Sequence, residues 1–141
     1  MLALLLAALS IDVAARPAYS PKRLALVRSV TAVDGTPDGR NAFFVTDITG
    51  DLELWSVPSS GGWPTQLTDL GQQVTEPVVS PDGAQVAFAS DYGGDERPDL
   101  FLLPAAGGET KNLTVSTRAE TSPVFSPDGT KFAHLIYPAG E

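Results

Sequence analysis

The clearest structural signal in the chain is residues 77–89, Pro-Val-Val-Ser-Pro-Asp-Gly-Ala-Gln-Val-Ala-Phe-Ala. Its central Ser-Pro-Asp-Gly, at 80–83, returns at 126–129 and, with Thr in first place, at 36–39. Proline presets φ for the first turn position, Asp hydrogen-bonds the local backbone, and Gly takes the positive φ that closes the turn. Short runs of β-branched and aromatic residues flank each copy, and they predict a β-hairpin at each one.

Two further markers keep the same spacing as the turns. Gly-Gly at 61–62 recurs at 107–108, and Leu-Thr at 67–68 recurs at 113–114. Independent markers at one period indicate an internal repeat of about 45 residues, which is the length of a four-stranded propeller blade.

The repeat predicts an all-β fold: a partial β-propeller of four-stranded antiparallel blades, with about two and a half blades in the chain. One blade covers residues 29–70, a second covers 76–115, and residues 121–141 form an incomplete third. Residues 16–28 repeat part of the pattern without its Asp-Gly. They are either a degenerate strand pair or the strand that closes the ring on the last blade.

The need of a propeller to close its ring of blades indicates how large the protein is. Propellers commonly have roughly four to eight blades, and closing the ring protects their strand edges. We therefore expect this chain to be the N-terminal part of a longer polypeptide. A short protein that closes its ring by forming oligomers is the alternative, because most oligomers have closed symmetry.

Residues 1–15 differ in composition from the rest of the chain. They are mostly apolar and end in small residues that a signal peptidase accepts, although no positive charge precedes the apolar run. The run is too short to span a bilayer, so no membrane anchor is expected. If residues 1–15 are a signal peptide, the protein is periplasmic or secreted. If they are a buried apolar segment or reflect a misplaced start, it is cytoplasmic.

The composition excludes several classes of function. Seventeen acidic and nine basic residues give a net charge of −8, and no Lys/Arg face is present, so nucleic-acid binding is not expected. The chain has no cysteine, which excludes disulfides and thiolate chemistry. A single histidine, His134, excludes a two-His metal motif, and we expect neither a metal nor a cofactor.

The Ser-Pro-Asp-Gly turn, the Ala-Phe strand, the Leu-rich third strand, Gly-Gly and Leu-Thr together resemble a known WD40-like repeat. It is shared by TolB-type propellers and the N-terminal propellers of the prolyl oligopeptidase (S9) family of serine peptidases. The resemblance runs from residue 29 to 137. Residues 54–68 and 90–103 are most similar to acylaminoacyl-peptidase and dipeptidyl-peptidase-like members. A TolB protein would also carry an α/β domain before its propeller, for which the residues before the first repeat leave no room.

In such peptidases the propeller is a lid and filter over an α/β-hydrolase domain that follows it and carries the Ser, Asp and His of catalysis. The chain contains no Gly-x-Ser-x-Gly elbow. The resemblance therefore implies a serine peptidase acting on peptides, with further blades and the hydrolase domain outside this chain and no catalytic residue within it. The alternative is a TolB-like periplasmic scaffold that binds protein partners.

Asp95 and Glu96 are the candidate substrate-binding residues. Dipeptidyl peptidases use propeller acids to hold the free α-amine of the substrate, and a pair of carboxylates can do this by charge-assisted hydrogen bonds. The plainer interpretation is a solvated acidic loop. A calcium site formed with Asp91 and Asp99 is not expected, because the EF-hand arrangement is missing.

The remaining candidates are interpreted as structural. His134 lies on a predicted strand without a positioned acid or Ser motif, so we do not expect it to act as a general base. Trp63 lies in a turn and, if exposed, marks a contact surface with a neighbouring domain. Five aromatic residues are predicted to form the core between blades: Phe44, Trp55, Phe88, Phe101 and Phe132.

Overall fold

A computed structural model describes residues 28–91 and 93–138. The predicted signal peptide over 1–15 and nearly all of the segment 16–28 lie outside the described residues. So do the last three residues of the incomplete blade.

The described residues form three antiparallel sheets and no helix, so the expectation of an all-β partial propeller is confirmed. Strands β1 to β4 form the first sheet in chain order, β5 to β8 form the second, and β9 pairs with β10 in the third. The strands are β1 (Val30–Gly35), β2 (Asn41–Thr46), β3 (Glu53–Pro58), β4 (Thr65–Gln66), β5 (Val74–Val79), β6 (Gln85–Ser90), β7 (Asp99–Pro104), β8 (Lys111–Asn112), β9 (Glu120–Phe125) and β10 (Phe132–Ile136).

The repeated tetrapeptide closes the hairpin between the first two strands of each sheet. In the second copy, the Ser80 hydroxyl donates to Asp82 Oδ1 at 2.6 Å, and the same oxygen accepts from Ala84 N at 3.0 Å. Gly83 has φ of 72° and donates its N–H to Ser80 O at 2.8 Å. Every residue type in the motif therefore has a local mechanical role.

The core lies between the first and second sheets. Phe88 and Phe101 are buried, and their rings stack with centroids 5.6 Å apart. In the first blade Phe43 is buried, whereas Phe44 is only half-buried. Alternate side chains on β2 point to opposite faces of the sheet, and Phe43 belongs to the cluster shared with the second sheet. The cluster consists of Phe43, Val45, Leu54, Val74, Val79, Val86, Phe88, Phe101 and Leu103.

Carboxylates join the first strands of neighbouring blades. Asp34 Oδ2 on β1 accepts from Val79 N on β5 at 2.7 Å, and Glu76 Oε2 on β5 accepts from Ser122 N on β9. Glu76 and Ser122 lie at bulges and have φ of 52° and 56°. The two bonds hold the three first strands side by side, since charge-assisted hydrogen bonds are stronger than neutral ones.

Candidate functional site

The acidic loop between β6 and β7 is organised by Asp91. Its Oδ1 accepts from Asp95 N at 3.1 Å and its Oδ2 accepts from Glu96 N at 2.9 Å. An Asp that bonds backbone N–H groups a few residues ahead stabilises a tight turn. The turn also holds Glu96 at φ of 59°, a conformation that residues other than glycine seldom adopt.

A cavity of about 280 Å³ opens beside this loop, where the start of β5 approaches it. Its lining residues are Gln73, Thr75, Asp91, Glu96 and Pro98. Two acidic residues therefore line one cavity, together with a threonine and a glutamine. Each carboxylate oxygen has more than one acceptor site, so Asp91 can accept further hydrogen bonds beyond those of the turn. The arrangement suits a cationic, hydrogen-bond-donating group.

The two predicted site residues have different surroundings. Glu96 lines the cavity, whereas Asp95 is not among its lining residues. Asp95 Oδ1 accepts from Arg97 N at 3.1 Å, and its Oδ2 lies 3.9 Å from Arg97 Nη1. Asp95 thus supports its own turn, and Asp91 is the second acid of the cavity. The signal for Asp91 in the sequence is an Asp that precedes Gly93 and Gly94 in a loop, which is typical of a turn-organising residue.

The carboxylates considered for calcium do not form one cluster. Asp99 begins β7, where its Oδ2 accepts from Asn112 Nδ2 at 2.9 Å. Among residues 28–91 and 93–138, no group of three or more His, Asp or Glu side chains is arranged so that it could hold a metal ion.

His134 and Trp63 have contrasting surroundings. His134 lies half-buried on β10, and its ring centroid is 6.3 Å from that of Phe132. No hydrogen bond joins its ring to another described residue, so no described group activates it as a base. Trp63 lies between β3 and β4 with 94% of its surface exposed.

A second, wider cleft of about 590 Å³ lies between the first two blades, at the end that carries the Pro-Asp-Gly turns. The antiparallel order of strands puts it at the opposite end of the blades from the acidic loop. It is lined by uncharged residues, namely Asn41, Ser56, Thr65, Leu67, Gly83, Ala84, Ala105 and Ala106.

The repeat and the geometry agree with a known family. Residues 18–140 match the family model described as the TolB beta propeller domain. The chain belongs to the TolB β-propeller domain family. The matched relatives of this TolB-type propeller are much longer than the chain.

One curated relative is the uncharacterized peptidase YuxL of Bacillus subtilis, which is 35% identical over 65 residues. The match covers 45% of this chain and 10% of that protein. The chain thus spans a small part of the length of that relative.

Two solved structures place the fold among both kinds of propeller. TolB from Acinetobacter baumannii superposes with a TM-score of 0.66 at 28% identity, over 76% of this chain and 26% of that one. A structure of prolyl endopeptidases superposes with a TM-score of 0.62 at 19% identity, over 82% of this chain and 18% of that one. The fold is therefore related both to TolB and to the propellers of peptidases. In the part of the chain that the structure describes, no helix is long and apolar enough to cross a membrane.

Proposed function

We propose that this chain is the N-terminal, substrate-gating propeller portion of an exported serine peptidase of the prolyl oligopeptidase family and is not catalytic by itself. The observation that supports the proposal best is the 35% identity to YuxL, a protein named as a peptidase. The hydrolase domain that carries out the chemistry then lies outside these residues, and a peptide is its substrate.

Within this proposal we assign the cavity beside the β6–β7 loop to the free α-amine of the peptide. Glu96 and Asp91 supply the carboxylates, and Thr75 and Gln73 supply neutral hydrogen-bonding groups. A protonated amine can form several charge-assisted hydrogen bonds to such a pair. Asp95 acts indirectly, because its bond to Arg97 N supports the turn that carries Glu96.

The test uses the intact polypeptide from the producing cell. An antibody against residues 93–98 identifies the band, and a fluorophosphonate probe labels an active serine nucleophile. A labelled band well above 14.8 kDa is the expected result. An unlabelled band, or one near 14.8 kDa, contradicts the peptidase proposal. N-terminal sequencing of the same band tests export, with a mature terminus near Arg16 expected.

The second candidate is a TolB-like periplasmic scaffold that binds protein partners through its loops. The 28% identity to Acinetobacter TolB favours it. It predicts a longer propeller that the fluorophosphonate probe does not label. It also predicts that removing the exposed indole, Trp63→Ala, weakens capture of a partner protein, whereas the peptidase proposal predicts no free partner protein to capture.

A further inference from the structure

Strand β10 of the incomplete third blade has an unpaired edge. Strand β10 pairs with β9 on one side, and no described strand pairs with its other side. The equivalent strands β2 and β6 are each paired on both sides. Around this edge Val124, Leu135 and Ile136 are all more than half exposed. An open ladder with apolar side chains beside it is a template for another strand.

The complete blades indicate which residue to expect on a strand that pairs with β10. In each blade, residues that are paired across neighbouring strands form a row across the sheet. In the first blade the row is Val30, Thr46 and Glu53, and in the second it is Val74, Ser90 and Asp99. Both rows therefore have an apolar residue on the first strand, a hydroxyl-bearing residue on the second and an acidic residue on the third. In the third blade the row begins with Glu120 and Ile136. In this blade the acidic residue lies on the first strand, and the residue on the second strand has no hydroxyl group.

Glu120 is buried without a full set of partners. Its side chain is 4% exposed, and its Oε2 has no hydrogen-bond donor among the described residues. Its backbone N–H donates to Pro98 O at 2.7 Å, as Val74 N donates to Leu52 O at 2.8 Å in the preceding blade. The position is thus one that a valine fills elsewhere in this chain.

The other buried glutamate shows how a satisfied one is surrounded. Glu53 is 1% exposed and accepts hydrogen bonds from Thr68 Oγ1, Leu70 N and Gly71 N. Burying a carboxylate is costly unless donors or an opposite charge compensate it. The described residues therefore leave Glu120 Oε2 without the donor that a buried carboxylate needs.

We propose that Glu120 is a recognition residue for the strand that docks on β10, and that this strand carries Lys or Arg at the row of Glu120 and Ile136. Cross-strand neighbours in one row share a face of the sheet. The long stem of Lys or Arg packs along the exposed Ile136, and its charged head reaches the carboxylate of Glu120. An acid at that place, as in the first two blades, would instead repel Glu120. The proposal goes beyond the function of the whole protein and applies equally to a peptidase propeller and to a scaffold.

The experiment offers the 141-residue chain three fluorescent peptides that copy residues 51–58, the third strand of the first blade. One peptide is native, one carries Glu53→Lys and one carries Glu53→Gln. Fluorescence anisotropy measures their affinities for the wild-type chain and for Glu120→Gln. We expect the Glu53→Lys peptide to bind about tenfold more tightly than the native peptide, and this preference to fall below about threefold on Glu120→Gln.

Unfolding of the chain alone provides the second measurement. Glu120→Val restores the residue found at Val74 and removes a buried carboxyl oxygen that has no donor, so its melting temperature is expected to rise. Glu109→Val, a change of the same type at an exposed site, serves as the control and is expected to leave the melting temperature nearly unchanged. A lower melting temperature for Glu120→Val overturns the proposal, because the carboxylate would then be satisfied within the chain. Equal affinities for the three peptides, or binding of none, also overturn it.

Discussion

At the residue scale, the aspartate of each Pro-Asp-Gly turn is held in its ionised form by local donors. The hydroxyl of Ser126 donates to Asp128, as do the N–H and hydroxyl of Thr130, and these bonds lower the pKa of Asp128 to about 2. The pKa values of Asp38 and Asp82 are lowered too, first by the hydroxyls of Thr36 and Ser80. Donors to a carboxylate favour its charged form.

The first prediction concerns pH. Because the pKa of Asp128 is lower in the folded chain than its ordinary value of 3.8, the stabilisation it provides is present above about pH 4. It is lost as the pH falls through about 2. Ser126→Ala is expected to raise the pKa of Asp128 toward its ordinary value, as measured by carboxyl NMR titration. The Asp82 resonance is the internal control, and an unchanged Asp128 pKa contradicts the prediction.

The second prediction concerns two threonines at equivalent positions. Thr68 Oγ1 donates to the buried Glu53 and accepts from Leu54 N, whereas Thr114 Oγ1 accepts from Leu100 N. Thr68→Val removes a donor from a buried carboxylate and is expected to lower the free energy of unfolding by about 2–3 kcal/mol. Thr114→Val is expected to cost about 1 kcal/mol. Urea unfolding measures both, and equal losses would show that Glu53 does not depend on Thr68.

At the scale of the element, the second strand of each blade shows that the packing of neighbouring sheets sets how much a side chain contributes to stability. Phe44 on β2 and Phe88 on β6 occupy the same place in the repeat. Phe88 has the first sheet packed against it and is fully buried. Phe44 faces the side of β2 away from the shared cluster and is only half-buried.

The third prediction follows from this pair. Phe88→Ala opens a cavity between two packed sheets and is expected to lower the free energy of unfolding by about 3–5 kcal/mol. Phe44→Ala removes the same atoms from a partly solvated face and is expected to cost about 1–2 kcal/mol. Denaturant unfolding of both variants checks the difference. A larger loss for Phe44→Ala would mean that its face is covered as completely as that of Phe88.

At the scale of the whole molecule, the described residues have a packed centre and open ends. Val30 and Val33 on β1 are mostly exposed at one end of the stack, and Val124 and Leu135 are exposed at the other. The same kinds of residue are buried where two sheets meet. Free strand edges and uncovered apolar faces favour association with another chain.

The fourth prediction is that the purified chain self-associates as its concentration rises. Leu135→Lys adds a charge to the unpaired strand β10 and is expected to shift the equilibrium toward the monomer, because an edge lysine opposes strand pairing. Sedimentation equilibrium measures the shift. Lys in place of Val115, which is 89% exposed but lies outside any strand, is the matched control. An equal shift in both variants would indicate a general effect of charge rather than pairing at β10.

Much of the fold could be predicted from the sequence because its turns are local. In each Pro-Asp-Gly turn the hydrogen bonds join residues within five positions of one another, as between Ser126 and Lys131. Local turn chemistry and the period of the repeat are sufficient to predict hairpins, blades and an all-β propeller.

The blade and its turns follow from the sequence alone, whereas the surroundings of particular side chains depend on how the sheets pack together. Phe43 rather than Phe44 is buried, Asp91 rather than Asp95 joins Glu96 at the cavity, and Glu120 is buried in place of a valine. Burial depends on which sheet stacks on which face, and that contact joins residues a whole repeat apart. A pattern read along one strand therefore predicts the strand itself but does not show which of its faces another sheet covers.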